Sequence, residues 1–390
     1  MIAKMNSYYK IILAFLFVVV FFEFGLGYFV KAQDIDVIGN GSINCSSSAK
    51  SAIILDATSG RVFYEKNADS KLALASTTKI VTAITAIENC NDLDVKIKVD
   101  DRAIGVYGTS IYIQKGEELS IRELLYGLML RSGNDAATAI AYYIGGSIEG
   151  FSELMNNTAK KAGATNSNFC NPHGLDDKNH YTTARDLAKI TAYALENKTF
   201  SDIVKTKTIN ISGVDNDRYL VNKNKLLNNL QGCIGVKTGF TDDAGRCLVS
   251  ACIRDDLKLV CVVLNCGPMF EESSSLFEEV YKKYQNVVLL EPYNYISSIA
   301  VENGERESVE VYSREGLVYP LSSEEYSKIN IVYDLPDQLS APVKSEVKVG
   351  EVKVYYGKHL IFIEEIYTME GVESKLVKDK LKTILDNWAI

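Results

Sequence analysis

The sequence predicts a mixed α/β (α+β) fold: an antiparallel sheet flanked by helices, then a small all-β domain, then a C-terminal amphipathic helix. Three observations predict it. Residues 51–287 carry a few strand-like segments, several segments of helical period and a second cluster of strands, which is not the regular alternation of a parallel sheet. Residues 288–366 are rich in Val, Ile and Tyr and lack helical period. Residues 367–390 return to helical period.

Composition indicates a folded protein that does not bind nucleic acid. The 390 residues leave room for two domains, and 47% hydrophobic with 24% charged residues is usual for a globular chain. The net charge of −8 argues against a nucleic-acid partner, which would favour a basic chain. With only three histidines and no cysteine pair at zinc-type spacing, we expect no metal site and no cofactor.

The N-terminal segment has the features of a secretory signal peptide. Two lysines precede the uninterrupted apolar run IILAFLFVVVFF, and small or apolar residues occupy positions 30 and 32. We therefore predict a signal peptide over residues 1–32 and a linker over residues 33–50. An uncleaved membrane anchor is the alternative. In both cases the bulk of the chain lies outside the cytoplasm.

The pairing of the cysteines is left open by the sequence. In a small secreted chain an even number would indicate a disulfide framework, but this chain is large enough to fold on its core alone. Cys247, Cys252 and Cys261 lie in apolar strand-like segments, where cysteine behaves as a small hydrophobic residue. The eight cysteines occupy positions 45, 90, 170, 233, 247, 252, 261 and 266.

The first domain opens with two strands and a helix. SAIILDATSGRVFYEKN predicts a strand pair joined by a turn over residues 56–60. In the following segment, LALASTTKIVTAI, isoleucines begin to recur at helical spacing. Ser76 and Lys79 would then share one face of the first turn of that helix.

Later elements follow from caps and breakers. Ser120 to Glu123 form a capping box that opens a helix with an apolar face, and Gly133 ends it. A second helix begins near Asp135, so Ser132-Gly133-Asn134 is a short connection between two helices. Further helices are predicted from about Phe151, from Thr183 and around Ser275, and strands at CIGVKTG, CLVSACIR and KLVCVVLNC.

Ser76 and Lys79 are a candidate nucleophile and base. The Ser-x-x-Lys pattern also occurs at Ser47 and at Ser345, so by itself it means little. Apolar neighbours in a helix favour the neutral form of Lys79, and a neutral amine can accept the proton that a serine must lose to attack a carbonyl.

The last helix predicts contact with a membrane surface. Val377, Leu381, Ile384, Leu385 and Trp388 fall on one face, and lysines fall on the other. A basic polar face with a tryptophan at the apolar edge suits a helix lying in a membrane interface, here residues 372–390. A helix packed on the β domain and a dimer-forming helix are the alternatives.

Three motifs occur in one order: Ser76-x-x-Lys79, Ser132-x-Asn134 and Lys237-Thr238-Gly239. This set is found in penicillin-binding proteins and serine β-lactamases. Together with SAIILDATSGRVFYEKNAD, ELLYGLMLRSGNDAATAIA, FCNPHGLDDKNHYTTARDLAKI and GVKTGFTDDAGRCLVS, it makes the chain resemble the low-molecular-weight penicillin-binding proteins, which are secreted serine-type D-alanyl-D-alanine carboxypeptidases.

The resemblance implies a serine β-lactamase/transpeptidase-like fold for the first domain, and the β domain and terminal helix also match the layout of the family. It implies removal of the terminal D-alanine from peptidoglycan stem pentapeptides, and covalent binding of β-lactam antibiotics. Ser76 would attack the carbonyl of the penultimate D-alanine, and Lys79 would take its proton. Ser132, hydrogen-bonded to Lys79 and Lys237, would relay that proton to the leaving amine, and Asn134 would hold the substrate amide.

The remaining implied roles concern the strand that carries Lys237. Lys237 and Thr238 would receive the terminal carboxylate, and Gly239 would leave room for the substrate backbone. The backbone N–H groups of Ser76 and Phe240 would form the oxyanion hole. Many members carry an arginine shortly after the last sheet strand, whereas NCGPMFEE has none here.

Other functions stay open at this point. Each motif could be structural, since serine and asparagine favour helix ends and caps. A serine β-lactamase needs a carboxylate that activates the deacylating water, and none of Glu149, Glu153 and Glu196 lies in the expected Glu-x-x-Leu-Asn setting. An inactive cell-wall-binding protein, an endopeptidase and a transpeptidase are the further alternatives.

Overall fold

The computed structural model describes residues 43–214 and 217–388. The predicted signal peptide and most of the predicted linker lie outside the described residues. Within them the order of elements is the expected one: strands, helices, strands, a β domain and a terminal helix. The helices are α1 (Lys79–Asn89), α2 (Ile121–Tyr126), α3 (Asn134–Gly145), α4 (Ile148–Lys161), α5 (Ala184–Glu196), α6 (Lys198–Lys205), α7 (Leu226–Asn229), α8 (Met269–Lys283) and α9 (Lys375–Trp388).

The strands divide between the two domains. The first nine precede α8 and the other eight follow it. They are β1 (Ser51–Asp56), β2 (Val62–Lys66), β3 (Lys96–Lys98), β4 (Glu118–Ser120), β5 (Thr208–Ile211), β6 (Arg218–Val221), β7 (Cys233–Thr241), β8 (Gly245–Arg254), β9 (Leu257–Leu264), β10 (Gln285–Leu290), β11 (Tyr295–Glu302), β12 (Ser308–Ser313), β13 (Leu317–Leu321), β14 (Ile329–Asp334), β15 (Gln338–Ser340), β16 (Lys348–Tyr356) and β17 (His359–Thr368).

A five-stranded antiparallel sheet forms the centre of the first domain, in the order β2-β1-β9-β8-β7. Side chains alternate between its faces, so each face buries its own cluster of apolar residues. The larger cluster joins one face to α1 and α5, and the smaller one packs α8 on the other. Because β7 is an edge strand, its outer side is free to meet other groups.

The second domain is all-β, as predicted. Six strands form a sheet in the order β14-β16-β17-β12-β11-β15, and β10 pairs with β13 beside it. Val309, Val311, Val352 and Val354 are fully buried in its core. The predicted alternation of apolar residues therefore faces one common interior.

One buried cation joins the two domains. Arg61 directly precedes β2. Its guanidinium forms an ion pair of 2.6 Å with Glu325 and donates to the Pro320 carbonyl, and both partners belong to the second domain. It also lies 4.9 Å from the ring centre of Tyr284 and 5.4 Å from that of Tyr319. The described strands of the two domains are thus linked by a charge that water does not reach.

Several elements begin at other residues than the sequence predicted. Helix α8 begins six residues before Ser275, and β10 begins at Gln285 because it pairs with β13. Helix α9 begins at Lys375 and not at 367, because residue 368 still pairs with β12 and Val372 bridges Val343. These ends depend on partners that are distant in sequence.

The last helix is exposed where it is described. Leu381, Ile384, Leu385 and Trp388 all lie in solvent, and the exposed fraction of Trp388 is 85%. Of the alternatives for this helix, packing on the β domain would have covered these side chains. Among the described residues, no helix has both the length and the apolarity that crossing a bilayer requires.

Candidate active site

Ser76 lies on a short 3-10 turn, Ala75–Thr78, that leads directly into α1. The turn is set by Ala75, whose φ is 50°, and by the Thr77 and Thr78 hydroxyls, which donate to the carbonyls of Leu74 and Ala75 at 2.6 and 2.8 Å. The sequence placed Ser76 on the first turn of a regular helix. In the structure the turn is tighter, but Ser76 and the lysine three residues later still meet.

The Lys79 amine lies in contact with the Ser76 hydroxyl. Its Nζ donates to Ser76 Oγ at 2.9 Å, to Asn134 Oδ1 at 2.7 Å and to the His173 carbonyl at 2.6 Å. The Lys79 side chain is fully buried. Loss of one proton would leave two N–H donors for the amide and the carbonyl, and a lone pair directed at Ser76.

The electrostatics favour that neutral amine. Burial, followed by the charges of Lys237 and Lys223, holds the pKa of Lys79 well below its usual range. Burial and the nearby Lys223 charge also lower the pKa of Lys237 to about 7. Among the described residues no carboxylate forms an ion pair with either amine, so burial and like charge disfavour the protonated form of both.

The connection that carries Ser132 follows from an unusual helix end. Helix α2 continues into a π-helical turn, Gly127–Arg131, and stops at Ser132, whose φ of 66° is left-handed. Asn134 then begins α3 and donates from Nδ2 to the Tyr107 carbonyl at 2.6 Å. Among the described residues the Ser132 hydroxyl makes no hydrogen bond to either lysine, so the contacts implied by the resemblance are not formed here.

The opposite wall of the site is held by a buried carboxylate. Asp135 accepts hydrogen bonds from the Ser110 hydroxyl at 2.6 Å and from the backbone N–H groups of Ile111 and Ile113 at 3.1 Å. These bonds fix the loop that carries Tyr107. No local pattern indicates this role for Asp135, because its partners are more than 20 residues away.

Strand β7 brings the third motif against the 3-10 turn. Lys237 is buried, with its Nζ donating to the Thr238 carbonyl at 2.8 Å. A Cβ on Gly239 would lie 3.1 Å from the backbone nitrogen of Ser76 and from the Leu74 carbonyl. These distances are shorter than a Cβ normally makes, so a side chain at position 239 would require the strand or the turn to shift. The backbone of β7 and the Ser76 N–H thus border the same space, with Phe240 exposed beside it.

These groups surround a cleft of about 750 Å³. Lys79 and Lys237 lie beneath its surface, and all other predicted site residues line it. The lining residues are Ser76, Tyr107, Gly108, Thr109, Ser132, Asn134, His173, Gly174, Leu175, Asp176, Lys223, Thr238, Gly239, Phe240, Thr241, Asp242, Arg246, Met269 and Phe270.

Two cations of the cleft were missed by the sequence analysis. Arg246 lies on β8 directly opposite Phe240, and Lys223 precedes α7. Both side chains are exposed, and neither forms an ion pair with a described carboxylate. No local pattern marks these positions, because only the pairing of β7 with β8 brings Arg246 to the site.

His180 supports the Ser76 turn from behind. Its Nδ1 accepts from the backbone N–H of Cys170 at 3.0 Å, and its Nε2 lies 2.8 Å from the Thr78 hydroxyl. Burial lowers the pKa of His180 to about 4, so the ring is neutral and its proton is on Nε2. The Thr78 hydroxyl therefore accepts from His180 and donates to Ala75.

His173 contributes through its backbone. Its carbonyl accepts from Lys79, and its ring Nδ1 accepts from the N–H of Leu175 at 3.2 Å, which stabilises the turn. Burial, with a further effect of the Lys79 charge, lowers the pKa of the His173 ring to about 3.

Comparison with known proteins identifies the family. The family described as D-alanyl-D-alanine carboxypeptidase matches residues 40–267, and the one described as the C-terminal domain of penicillin-binding protein 5 matches residues 282–374. The chain is 31% identical to the D-alanyl-D-alanine carboxypeptidase DacC of Escherichia coli (strain K12), over 84% of this chain and 85% of that protein. It is 26% identical to DacF of Bacillus subtilis (strain 168), over 90% and 92%.

A solved structure is similar over the same range. The crystal structure of penicillin binding protein 5 from Haemophilus influenzae superimposes with a TM-score of 0.73 at 25% identity, and the match covers 86% of this chain and all of that one. The resemblance that the three motifs indicated is confirmed by these matches, which extend over both domains. The chain belongs to the family of D-alanyl-D-alanine carboxypeptidases, with a second domain of the penicillin-binding protein 5 type.

Proposed function

We propose that this carboxypeptidase removes the terminal D-alanine of peptidoglycan stem pentapeptides, with Ser76 as its nucleophile and Lys79 as its base. The observation that carries the proposal is the 2.9 Å contact between Ser76 Oγ and a fully buried amine. A serine hydroxyl is a weak nucleophile until a base removes its proton. A buried lysine with a lowered pKa supplies such a base.

In the first step Ser76 Oγ attacks the carbonyl carbon of the penultimate D-alanine while Lys79 accepts the hydroxyl proton. The negative oxygen that forms is stabilised by the N–H groups of Ser76 and Phe240, and one such donor contributes about 10²–10³ in rate. The proton then passes to the leaving amine, with Ser132 as the relay. Water hydrolyses the resulting ester and restores the Ser76 hydroxyl.

The free carboxylate of the substrate binds beside Thr238. Lys237 lies beneath this position, and Thr238 lines the cleft. Thr238 faces Leu248 across the strands, so Arg246 is its diagonal neighbour on the same face of the sheet. Diagonal neighbours about 7–8 Å apart are within reach of a long side chain. We assign Arg246 a contact with the carboxylate, from β8 and not from the segment after β9.

Asn134 positions both the enzyme and the substrate. Its Oδ1 accepts from Lys79 and its Nδ2 donates to Tyr107, which orients the amide group at the edge of the cleft. A substrate amide that enters the cleft meets this side chain on one side and the edge of β7 on the other. Gly239 allows the substrate backbone to lie along that edge.

β-Lactam antibiotics acylate Ser76 as mimics of the dipeptide. A β-lactamase would in addition need a carboxylate that activates water, but none of Glu149, Glu153 and Glu196 lines the cleft. Its two acidic lining residues are Asp176, which accepts from Thr241 at 2.8 Å, and Asp242 at the rim. Slow release of the penicilloyl group therefore follows from the same geometry.

The test is the product formed from a stem pentapeptide. Incubation with the purified protein should give a tetrapeptide and free D-alanine by mass spectrometry, and Ser76→Ala should give neither. Ser345→Ala, in the exposed Ser-x-x-Lys sequence of the second domain, is the matched control and should act as wild type. An unchanged pentapeptide, or equal turnover by Ser76→Ala, would refute the proposal.

We also propose that the protein is secreted across the cytoplasmic membrane and is attached peripherally to the extracytoplasmic membrane surface through residues 372–390. The exposed apolar side chains of α9, together with the lysines in its sequence, support this. The apolar run before residue 32 supports secretion.

Co-sedimentation with vesicles of anionic phospholipid tests the attachment. The full chain should pellet with the vesicles, and Leu381→Asp with Leu385→Asp should reduce the bound fraction. Leu360→Asp, which changes an exposed leucine of β17, should not. Equal binding of the double variant and the wild type would contradict membrane contact through α9.

A further inference from the structure

A pair of cysteines lies across the strands at the far end of β7. Cys233 is the first residue of β7, and its partner in the register is Cys252 of β8. Side chains directly opposite each other in an antiparallel pair lie on the same face of the sheet. Here both sulfurs face the side covered by α8, since Cys252 is buried in that apolar cluster and Cys233 packs against it.

The hydrogen bonds show which kind of pair it is. The N–H of Ile253 donates to the Gly232 carbonyl at 2.9 Å, whereas the N–H of Cys233 donates to Leu230 and not to Cys252. A bond in this place indicates a non-hydrogen-bonded pair, although the register is irregular on the other side, between Cys233 and Gly235. Opposite residues in an antiparallel ladder have Cα atoms about 4.5–5.5 Å apart. A disulfide needs Cα atoms about 4.4–6.8 Å apart. The backbone therefore already has the spacing that a cross-link requires.

The pairing of Cys252 with Cys261, the cysteine of the neighbouring strand β9, does not have this spacing. Cys252 faces Leu259 on β9, so Cys261 is its diagonal neighbour there. Diagonal neighbours are about 7–8 Å apart, which is beyond the range of an unstrained disulfide. The geometry thus selects Cys233 as the partner of Cys252.

The two thiols also differ in access. Cys233 is half-buried, whereas Cys252 is fully buried. A hydrogen bond from the Cys252 thiol lowers the pKa of Cys233, and burial raises the pKa of Cys252. One sulfur is therefore an accessible nucleophile, and the other is positioned behind it to resolve a mixed disulfide.

We propose that Cys233 and Cys252 are a redox modification site, which forms a reversible cross-strand disulfide by exchange with an oxidised disulfide compound. The Cys233 thiolate attacks one sulfur of that compound and releases its other half as a thiol. The Cys252 thiolate then attacks the mixed disulfide and releases the second half. Two protein thiols become one disulfide, and the oxidant gains the two electrons and two protons as two thiols.

The cross-link would fix the edge strand that presents Lys237, Thr238 and Gly239. These residues begin four positions after Cys233, and β7 is bonded to the sheet on one side only. In the dithiol form, the start of β7 is held by the ladder bonds to β8, by packing against α6 and α7 and by the bond from the Cys233 N–H to the Leu230 carbonyl. The disulfide would add a covalent bond at that end without contact to the cleft.

The test uses the full chain and glutathione as the probe. The protein is equilibrated with oxidised or reduced glutathione, quenched with acid, alkylated and mapped by mass spectrometry. After equilibration with oxidised glutathione, the peptides that contain Cys233 and Cys252 should be joined, with a mass two hydrogens below the sum of the two thiol peptides. Cys90 and Cys170 should be alkylated. Alkylation of both Cys233 and Cys252 in oxidised glutathione, or a disulfide between Cys252 and Cys261, would overturn the proposal.

Thermal unfolding provides the second readout. A disulfide that closes the loop from Cys233 to Cys252 should raise the melting temperature of the oxidised protein by about 6–12 °C over that of the reduced protein. Cys233→Ser should remove this dependence on the reductant, and Cys90→Ser should retain it. An equal shift in the Cys233→Ser variant would show that another pair is responsible.

Discussion

At the scale of single residues, catalysis depends on the charge states of three lysines. Lys79 must be neutral to accept a proton, and Lys237 must be charged to attract a carboxylate. Both amines are buried, and their like charges disfavour each other. Lys223, at the surface of the cleft, adds a third charge that lowers the pKa of both. Removal of Lys223 should therefore change the pH dependence in a definite direction.

We expect acylation by penicillin to rise with pH as Lys79 loses its proton, and to fall above about pH 7 as Lys237 loses its own. Lys223→Ala removes a like charge, so the pKa of Lys237 should increase and the falling limb should move to higher pH. Stopped-flow acylation rates between pH 5 and 10 measure this. The control is Lys225→Ala, which changes a nearby lysine outside the cleft lining. If the fall in acylation rate occurs at the same pH in Lys223→Ala as in the wild type, the proposed effect of Lys223 on the pKa of Lys237 is wrong.

The Arg246 guanidinium should matter only for substrates with a free carboxylate. A hydrogen bond to a charged group contributes about 1.5–3 kcal/mol, so Arg246→Ala should lower kcat/KM about 10- to 100-fold. Arg246→Lys should recover part of the loss. A substrate with a C-terminal amide is the control, since its turnover should not depend on Arg246. Equal losses on both substrates would assign Arg246 to folding and not to recognition.

At the scale of elements, the site depends on a loop that touches the Ser76 turn. Gly174, with a φ of 82°, lies so close that an added Cβ would be 2.0 Å from the Ala75 carbonyl and 2.7 Å from the Thr78 hydroxyl. The same loop supplies the His173 carbonyl to Lys79. A side chain at position 174 would therefore push the turn that carries the nucleophile.

Gly174→Ala should destabilise the protein by at least about 3 kcal/mol and slow acylation of the folded fraction. Gly146→Ala is a matched control, because its φ of 70° is also left-handed while no atom lies within 4 Å of the added Cβ. That control should cost only about 1–2 kcal/mol, from the backbone alone. Urea denaturation measures both, and equal costs would contradict the steric argument.

Sequence patterns correctly predicted the helices whose first turns are stabilised by neighbouring residues. The capping box of Ser120 and Glu123 begins α2 as expected, and the Thr183 hydroxyl accepts from the N–H of Asp186 at 3.0 Å to begin α5. The 3-10 turn at Ser76 was not predicted, because the contacts that tighten it come from Gly174 and His180, which are about 100 residues away.

The residues of the candidate site also fall into two groups: those that short sequence motifs predicted and those that only the fold brings to the cleft. Each predicted residue belongs to a motif of three or four consecutive positions, and the fold brings all three motifs to one cleft. Arg246, Lys223 and Asp135 were missed because they act through strand pairing, a shared cleft and a loop held at a distance. No pattern of neighbouring residues encodes such contacts.

At the scale of the whole molecule, Arg61 couples the two domains. Its guanidinium is buried and its partner Glu325 comes from the second domain, so removal of one leaves the other charge buried without its partner. The site lies entirely in the first domain. The coupling should therefore affect stability more than chemistry.

Arg61→Ala should reduce the free energy of unfolding by about 3–5 kcal/mol, and should separate the calorimetric transition into two steps. Arg102→Ala, which removes an exposed ion pair with Asp100, should leave a single unshifted transition. A single transition at the wild-type temperature in Arg61→Ala would show that other contacts join the domains. The acylation rate of folded Arg61→Ala should equal that of the wild type.

The central claim is that the fold makes Ser76 a nucleophile by placing Lys79 beside it. The most direct test is the mass of the protein, and of its peptides, after brief exposure to benzylpenicillin. We predict one penicilloyl group per chain, on the peptide that contains Ser76. Lys79→Ala should slow its formation about 10²- to 10⁴-fold, which is the usual contribution of a proton acceptor. An adduct on another residue, or an undiminished rate in Lys79→Ala, would contradict the account.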